Sequence, residues 1–461
     1  MTRAPITQKL ASFIADFQPG DLPAEVVEYT KLLVFDGIGT LAAATHPKIT
    51  SGARIAAFAE AQGGPPEATL IGRGTKVGVV NAVLANGTLG YACDMEPHHP
   101  EAILHPISIM VPTALALSEA HGRGGADFLT AIALGCEITY RVSMAMDPKQ
   151  LYAIGFHPSA VCGTFGAAAA TAHLLDLNSE QTVRALGLAA LQTSGLMAWE
   201  DDPNEDARPF QMGMAARNGV TAAMLAKDGF GAPDRIFDGG HTVLEAFSRG
   251  YSKEPLLDGL GAKWDGVMEL AVKPYSCVSF LHPALDALAA LLRREGTTAG
   301  DIATMDLRFA ASGCHCVDDN PLKSHCAQYV LPVRVARGEL NFIDLFEDRR
   351  ITDPEVARLA AATTVTRDEG ELEALFPDFY AGEVTLTLKD GRRVHERSDI
   401  ARGYPEAPLS ETDLNDKFHA LVGSVADDER RAALEGIART AADQVDMTGL
   451  ATVLGAPAKA F

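Results

Sequence analysis

Apolar and polar positions along the first 270 residues follow a helical pattern that is rich in small side chains. Three stretches are long, strongly apolar and short of β-branched runs: 128–146, 160–175 and 182–197. Gly163, Gly166 and the alanines at 167–170 let helix backbones approach closely, which favours a tightly packed bundle. Polar residues interrupt each stretch, so membrane-spanning helices fit the pattern less well.

A second pattern, with strands as well as helices, follows this long helical region. Residues 303–309 predict a strand, and residues 383–388 alternate between apolar and polar positions. The Asp-Gly pair at 390–391 predicts a hairpin turn into a further strand that runs through Val394. Two intervening stretches are predicted to be helical: 332–337 and 353–363.

The last part of the chain returns to a helical pattern. Its apolar face carries Leu414, Phe418, Leu421 and Val422. We therefore predict a mainly α fold, in which a large helical domain is formed by both chain ends, residues 1–269 and 405–461. A smaller α+β domain is inserted at residues 270–404.

The amino-acid composition and net charge limit the kinds of molecule that we expect this protein to bind. The chain has 461 residues, 47% hydrophobic and 21% charged, which suits a globular protein of two domains. A net charge of −21 argues against nucleic acid, because phosphate binding depends on clustered lysine and arginine. An anionic substrate would need a local cluster of basic groups. No apolar run can span a bilayer and no signal peptide precedes the amphipathic residues 8–17, so we expect a cytoplasmic protein with no membrane partner.

The cysteines and glycines give no sign of a metal or a nucleotide cofactor. Seven cysteines are an odd number without a repeated framework, which favours reduced thiols. One cluster resembles a metal site without having a zinc spacing: Cys314, His315, Cys316, His325 and Cys326. No phosphate-binding GxxxxGK[ST] or GxGxxG motif follows a predicted strand, so we predict no cofactor and no metal.

The most unusual segment runs from Asp94 to Pro106, between two apolar helical stretches. It holds three histidines and three carboxylates within twelve positions: Asp94, Glu96, His98, His99, Glu101 and His105. Loops between rigid helices are common places for catalytic groups, although a solvated polar loop has the same composition. A metallohydrolase site is the other alternative, but the HExxH spacing is absent.

Three further segments carry candidate groups. His157 opens an Ala/Gly-rich helix, where an imidazole beside oriented N–H groups can hold an anion or simply bond a carbonyl. Arg208 near a helix start can bind a carboxylate in bidentate fashion or pair with the acids that precede it. Lys273, followed by Tyr275 and His282, lies in a largely apolar setting, where a lysine needs an anionic partner.

Together these segments resemble the MmgE/PrpD family, in the same order and at similar separations over essentially the whole chain. The motifs that carry the resemblance are Gly90–Asp94 through His105-Pro106, Gly155–Ser159, Lys273–Tyr275 with His282–Ala284, Asn320-Pro321 and Ala327–Tyr329. The resemblance implies that the inserted domain is a lid, that the active site lies in the cleft between the domains, and that the protein is a homodimer.

Family active-site positions carry over to this chain. His98 stands where the family often has a threonine, and Arg208 stands where it has a lysine. The predicted catalytic residues are Asp94, His98, His105, His157 and Lys273. The predicted substrate-binding residues are Arg208, Lys273, His157, Tyr275 and His282.

The family includes 2-methylcitrate dehydratase, cis-aconitate decarboxylase and iminodisuccinate epimerase. These reactions share a gain or loss of charge at a carbon beside a carboxylate, which requires cations for the carboxylates and groups that transfer protons. The resemblance implies a cofactor-independent lyase acting on a small polycarboxylate, with dehydration as the first expectation. Epimerisation or isomerisation and decarboxylation are alternatives within the family. An inactive carboxylate-binding protein is the alternative from another class, favoured only by His98 and Arg208.

Overall fold

A computed structural model describes residues 5–202, 204–346, 352–376 and 379–460. The chain packs as two compact units. The helical unit contains the chain up to residue 270 and from residue 414 onward, and the α+β unit contains residues 271–413. The second boundary therefore lies at 413, where the sequence pattern predicted 404.

Most of the regular secondary structure in the described residues is helical. The α-helices are α1 Ile6–Asp16, α2 Ala24–Ala43, α3 Thr50–Gln62, α4 Val79–Leu89, α5 Ile107–His121, α6 Gly125–Ala145, α7 Pro148–Ala153, α8 Pro158–Leu174, α9 Ser179–Gln192, α10 Ala207–Lys227, α11 Val243–Phe247, α12 Asp265–Met268, α13 His282–Glu295, α14 Ala311–Cys314, α15 Ala327–Arg337, α16 Pro354–Ala361, α17 Glu371–Leu375, α18 Glu411–Gly423, α19 Asp428–Arg439 and α20 Thr448–Gly455. The strands are β1 Ala68–Thr69, β2 Lys76–Val77, β3 Ile302–Ala310, β4 Thr363–Asp368, β5 Gly382–Leu388 and β6 Arg393–Ser398. The predicted mainly α fold is confirmed.

The centre of the helical unit is built from helices that pack at close range through small residues. A Cβ added to Gly166 of α8 would overlap the carbonyl oxygen of Gly135 in α6. A Cβ added to Gly219 of α10 would lie 2.6 Å from the carbonyl oxygen of Thr164 in α8. Helix α8 is thus enclosed by α6 and α10, and the predicted role of Gly166 in close helix approach is confirmed.

The α+β unit is organised by a four-stranded sheet in the order β4-β3-β5-β6. Strand β3 runs parallel to β4 and antiparallel to β5, and β5 pairs with β6 in antiparallel fashion. Leu307 lies opposite Val384, and helix α13 covers β5 and β6 with its apolar face. The predicted turn is confirmed, because Gly391 has a φ of 89° between the hydrogen-bonded strands.

One predicted helical stretch is wrong at its end. Helix α9 ends at Gln192, and Met197 lies in a separate 3₁₀ turn, Met197–Asp201. The backbone between them pairs with the residues that precede α8. Gly195 accepts a hydrogen bond from the N–H of His157, and Leu196 forms a bridge with Phe156. This pairing holds the start of α8 in place. The apolar pattern of the sequence did not reveal that α9 ends before it.

In the ranges that the structure describes, none of the helices combines the length and apolarity needed to cross a bilayer.

Candidate active site

The loop between α4 and α5, residues 90–106, is called the histidine loop below. It is not a solvated loop, since Asp94, His98 and His99 are all buried. Asp94 and Ile103 both have a φ of 52°, in the left-handed region that is unfavourable for side chains, above all for a β-branched one. Backbone strain of this kind persists where the surroundings enforce it, and it is found at functional sites.

His99 has a structural role within the histidine loop. Its backbone exchanges hydrogen bonds with Leu104 at 2.7 Å and 3.2 Å, which closes a short hairpin. Its Nδ1 accepts from the N–H of Ala102 at 3.3 Å, and its ring stacks on Tyr140 with 4.8 Å between centroids. Burial lowers the pKa of His99 to about 4, so the ring is neutral at pH 7. Its contacts stabilise the hairpin.

His105 and Glu96 form the closest acid–base pair of the loop. Nδ1 of His105 lies 2.9 Å from Oε1 of Glu96. The Glu96 side chain is 0% exposed, whereas the His105 side chain is 15% exposed and can reach a ligand. The N–H of His105 donates to Oγ of Ser159 at 3.0 Å, which ties the residue to the first turn of α8. The ring of His98 is stacked near His105, with 5.8 Å between centroids.

Tyr91 lies at the centre of the predicted residues. Its ring meets His105 edge-on with 4.9 Å between centroids, and the ring of His157 lies at 6.1 Å. The guanidinium carbon of Arg208 lies 4.9 Å from the centroid of the same ring. Burial raises the pKa of Tyr91 well above its usual value, so the phenol keeps its proton.

Arg208 is the cation of this cluster and is the second residue of α10. Its Nη1 lies 3.3 Å from Oδ1 of Asp94, and its Nη2 lies 3.8 Å from Oε2 of Glu205. The guanidinium carbon is also 5.7 Å from the ring of Trp199. Burial alone would lower the pKa of Arg208, but the acids Asp94 and Glu205, with Tyr91, raise it above its usual value. Nε of Arg208 has no hydrogen-bond partner among the described residues.

His157 stands at the N-cap position of α8, where its side chain is a neutral group that makes no capping hydrogen bond. Its N–H donates to the carbonyl oxygen of Gly195 at 2.7 Å, which fixes the backbone there. Burial lowers the pKa of His157 to about 3, and the nearby charges of His105 and Arg208 add to the effect. The predicted help in holding an anion must therefore come from hydrogen bonding and not from a positive charge.

Three predicted residues lie in the α+β unit. Lys273 is almost fully buried there. The hydroxyl of Tyr275 donates to Oδ1 of Asp286 at 2.8 Å and accepts from Arg402 at 3.2 Å. Nε2 of His282 lies 3.2 Å from the carbonyl oxygen of Cys277. The contacts of Tyr275 and His282 hold the segment that begins at Lys273.

The structure thus brings five predicted residues together in the helical unit: Asp94, His98, His105, His157 and Arg208. Three others lie in the α+β unit: Lys273, Tyr275 and His282. Sequence reasoning assigned no role to Tyr91, Glu96 or Ser159, although all three lie within its motifs. The described residues contain no group of three or more His, Cys, Asp or Glu side chains arranged to hold a metal ion.

The arrangement supports two kinds of chemistry. An accessible imidazole held against a buried carboxylate can exchange a proton with a ligand. A guanidinium beside it, buried over two aromatic rings, can bind a carboxylate. Neutral Tyr91 and His157 add hydrogen-bonding groups that carry no charge at pH 7.

Comparison with known proteins agrees with this interpretation. Residues 8–256 match the MmgE/PrpD N-terminal domain, and residues 275–442 match the MmgE/PrpD C-terminal domain. The chain is 28% identical to the cis-aconitate decarboxylase of Aspergillus terreus, over 98% of this chain and 96% of that protein. It is 27% identical to the cis-aconitate decarboxylase-like protein oryM of Aspergillus oryzae, over 97% of each.

A human protein shows the same whole-length similarity. The chain is 26% identical to the cis-aconitate decarboxylase of Homo sapiens, over 98% of this chain and 95% of that protein. These matches extend through both units, and the resemblance inferred from the motifs is confirmed. The chain belongs to the MmgE/PrpD family and, as predicted, is an enzyme.

Proposed function

We propose that this enzyme is a cofactor-independent lyase that acts on a small polycarboxylate by moving a proton at a carbon beside a carboxylate. The observation that carries the proposal is the 2.9 Å contact between buried Glu96 and the more accessible His105. A carboxylate at Nδ1 orients the imidazole and favours the proton on that nitrogen, so that Nε2 is the atom available to a ligand. Arg208, close to the same tyrosine ring, supplies the cation that a polycarboxylate requires.

Each group has a distinct part in this proposal. His105 transfers the proton, and Glu96 stabilises the imidazolium form. Asp94 holds the guanidinium of Arg208, so we assign it to positioning the cation. Tyr91 and His157 donate hydrogen bonds to the substrate as neutral groups. His98, stacked near His105, shares the proton transfer.

The reaction that we place first is decarboxylation of a cis-aconitate-like tricarboxylate. Three relatives aligned over nearly their whole lengths carry cis-aconitate decarboxylase in their names, which favours it over the dehydration that the motifs alone put first. In such a reaction the bond to one carboxylate breaks and CO₂ leaves. The electron pair forms a new double bond, the old double bond shifts its electrons to the far alkene carbon, and a proton adds there. His105 is the proposed donor of that proton.

The test is product analysis with purified, chelator-treated enzyme. Cis-aconitate, citrate-like hydroxy acids and amino polycarboxylates are each incubated with the enzyme, and proton NMR and CO₂ release are recorded. A new alkene together with CO₂ supports decarboxylation, and a new alkene without CO₂ supports dehydration. Racemised substrate without a new skeleton supports the epimerase alternative. Saturable binding of these acids without any product would contradict the lyase and support a carboxylate-binding protein.

Lys273 is proposed as a second cation for the substrate carboxylates, with Tyr275 and His282 as further binding residues. Its burial supports this role, because a lysine away from water needs anionic or polar partners. We expect Lys273→Ala to remove most turnover and to leave the fold intact, as judged by circular dichroism. Wild-type turnover in that variant would remove Lys273 from the proposal.

A homodimer, a cytoplasmic location and independence of cofactors complete the proposal. Light scattering on the purified protein measures its mass in solution, and a monomer would contradict the first prediction. Cell fractionation tests the second. Turnover that survives exhaustive dialysis against chelator supports the third, and restoration of lost turnover by an added metal ion or cofactor would overturn it.

A further inference from the structure

A lysine lies on the buried face of a helix behind the histidine loop. Lys417 of α18 is buried together with its apolar neighbours Phe418, Leu421 and Val422. An ammonium group on such a face is costly unless charged and polar partners meet it. Its partners therefore show what it stabilises.

Asp36 and a carbonyl group of the histidine loop both meet the ammonium group. Nζ of Lys417 lies 2.6 Å from Oδ1 of Asp36 in α2. Nζ also donates to the carbonyl oxygen of Met95 at 2.8 Å. Next to these residues, the rings of Phe35 in α2 and Phe418 in α18 stack with 4.3 Å between centroids. The lysine thus connects α18 and α2 to one peptide group of the loop.

That peptide group stands between the two carboxylates of the candidate active site. Asp94, before Met95, lies against Arg208, and Glu96, after it, lies against His105. Asp94 has a positive φ, so the backbone at this point needs an external contact to keep its conformation. The hydrogen bond to the Met95 carbonyl supplies such a contact.

The electrostatic environment of Asp36 agrees with this placement. Burial raises the pKa of Asp36, the ammonium of Lys417 opposes that rise, and the charge of Glu96 adds to it. Asp36 therefore lies within the field of the site carboxylate, with Lys417 beside it.

We propose that Lys417 is a positioning residue that sets the Glu96–His105 pair through the Met95 carbonyl, with Asp36 as its anchor. This inference rests on the proposed function for its kinetic consequences and on geometry for the rest. Lys417 does not contact the reacting atoms in this account. It acts by keeping Glu96 at the distance at which the imidazole of His105 is oriented.

The experiment compares Lys417→Met with a matched control, Arg141→Met. Arg141 also pairs with a buried acid in the helical unit and also binds backbone carbonyls, but of residues 255–263. In Lys417→Met we expect kcat to fall about 10- to 100-fold while KM stays within about two-fold, because orientation is lost and substrate binding is not. In Arg141→Met neither constant should change by more than about two-fold.

A spectroscopic readout separates this inference from the proposed function. Histidines are labelled with ¹³C, and the signals of His105 are identified by their loss in His105→Gln. We expect these signals to shift in Lys417→Met and to keep their wild-type positions in Arg141→Met. If no substrate is turned over by the wild type, the proposed function fails, and the His105 signals still test the role of Lys417.

A second variant keeps the inference testable if Lys417→Met does not fold. Asp36→Asn keeps the shape of the anchor and removes its charge, so it should shift the His105 signals and lower kcat by a smaller factor, about three- to ten-fold. Wild-type kcat and unshifted His105 signals in Lys417→Met would overturn the inference. The same result in Asp36→Asn would overturn it where Lys417→Met cannot be prepared.

Discussion

Two buried arginines of the helical unit face carboxylates, and they differ in what else they bind. Arg141 uses all three of its nitrogens, with Nε bonded to Glu137 at 2.7 Å and the others bonded to carbonyl oxygens. Arg208 lies 3.3 Å from Asp94, is placed over the ring of Tyr91, and keeps an Nε that has no hydrogen-bond partner among the described residues.

The remaining contacts of a buried arginine therefore distinguish an ion pair that stabilises the fold from one that is available to bind a substrate. A guanidinium whose three nitrogens all bond to the protein, as those of Arg141 do, stabilises the fold. The guanidinium of Arg208, which lies 3.3 Å from Asp94 and 3.8 Å from Glu205 and is placed over ring faces, keeps its Nε for a substrate carboxylate. Burial and an acidic neighbour are common to both, so neither feature identifies a site by itself.

We expect the greatest loss of turnover from a change in the candidate active site, at His105. Replacing His105 by Gln removes the group that transfers the proton and keeps the polar volume. We expect turnover to fall by about 10²- to 10⁴-fold. His99→Gln is the matched control in the same loop, because His99 already serves the hairpin, and it should keep turnover within a few-fold of the wild type. Equal losses in both variants would show that the loop tolerates no change, and the assignment of His105 would fail.

The next effect compares the arginines directly through Arg208→Lys and Arg141→Lys. Lysine keeps the charge and loses the planar fork that binds a carboxylate at two points. We expect kcat/KM to fall about 10- to 100-fold in Arg208→Lys, from the loss of one charge-assisted hydrogen bond. Arg141→Lys should leave kcat/KM near the wild-type value. A larger loss of kcat/KM in Arg141→Lys than in Arg208→Lys would contradict the assignment of Arg208, and not Arg141, to substrate binding.

The third prediction concerns the structural ion pair of Arg141 and is measured as a change in the stability of the folded protein. Arg141→Met removes the cation that pairs with the buried Glu137, and breaking a buried ion pair in this way costs about 3–5 kcal/mol. Calorimetry should therefore show a lower unfolding temperature for Arg141→Met than for the wild type. An unchanged unfolding temperature would mean that the pair contributes no stability, and the contrast with Arg208 would lose its basis.

The smallest effect is a dependence of stability on pH that comes from His99. Burial lowers its pKa from 6.5 to about 4, so between these pH values the unfolded chain binds a proton that the folded chain excludes. The contribution is fully present above pH 6.5 and is lost as the pH falls towards 4, by about 1.4 kcal/mol per pH unit. As the pH is lowered from 6.5 towards 4, the unfolding temperature should therefore fall less steeply in His99→Gln than in the wild type. Parallel curves would contradict the neutral, buried state of His99.

Much of the fold could be predicted because its signals are local. Periodicity gave the long helices, and the Asp-Gly turn with its flanking alternation gave the β5–β6 hairpin. The end of α9 could not be predicted, because the chain after Gln192 pairs with the start of α8, which is a tertiary contact. Apolar composition does not show where a backbone leaves its helix to bond with another element.

The candidate site was predictable in its members and not in their roles. Motif order pointed to Asp94, His105, His157 and Arg208, and the structure brings these residues together. Spacing could not separate His99 from His105, since only the hairpin contacts of His99 show that it is structural. It also gave no signal for Lys417, which lies more than 300 positions from the peptide that it holds.

The role of the Glu96–His105 pair is tested by turnover of cis-aconitate in heavy water by the wild type, His105→Gln and Arg141→Met. From the wild type and from Arg141→Met we expect CO₂ and an alkene product that carries one deuterium, at the carbon that receives the proton. From His105→Gln we expect almost none of this product. Equal amounts of deuterated product from all three proteins would show that proton transfer does not depend on the Glu96–His105 pair, and the assignment of this cluster as the catalytic centre would be contradicted.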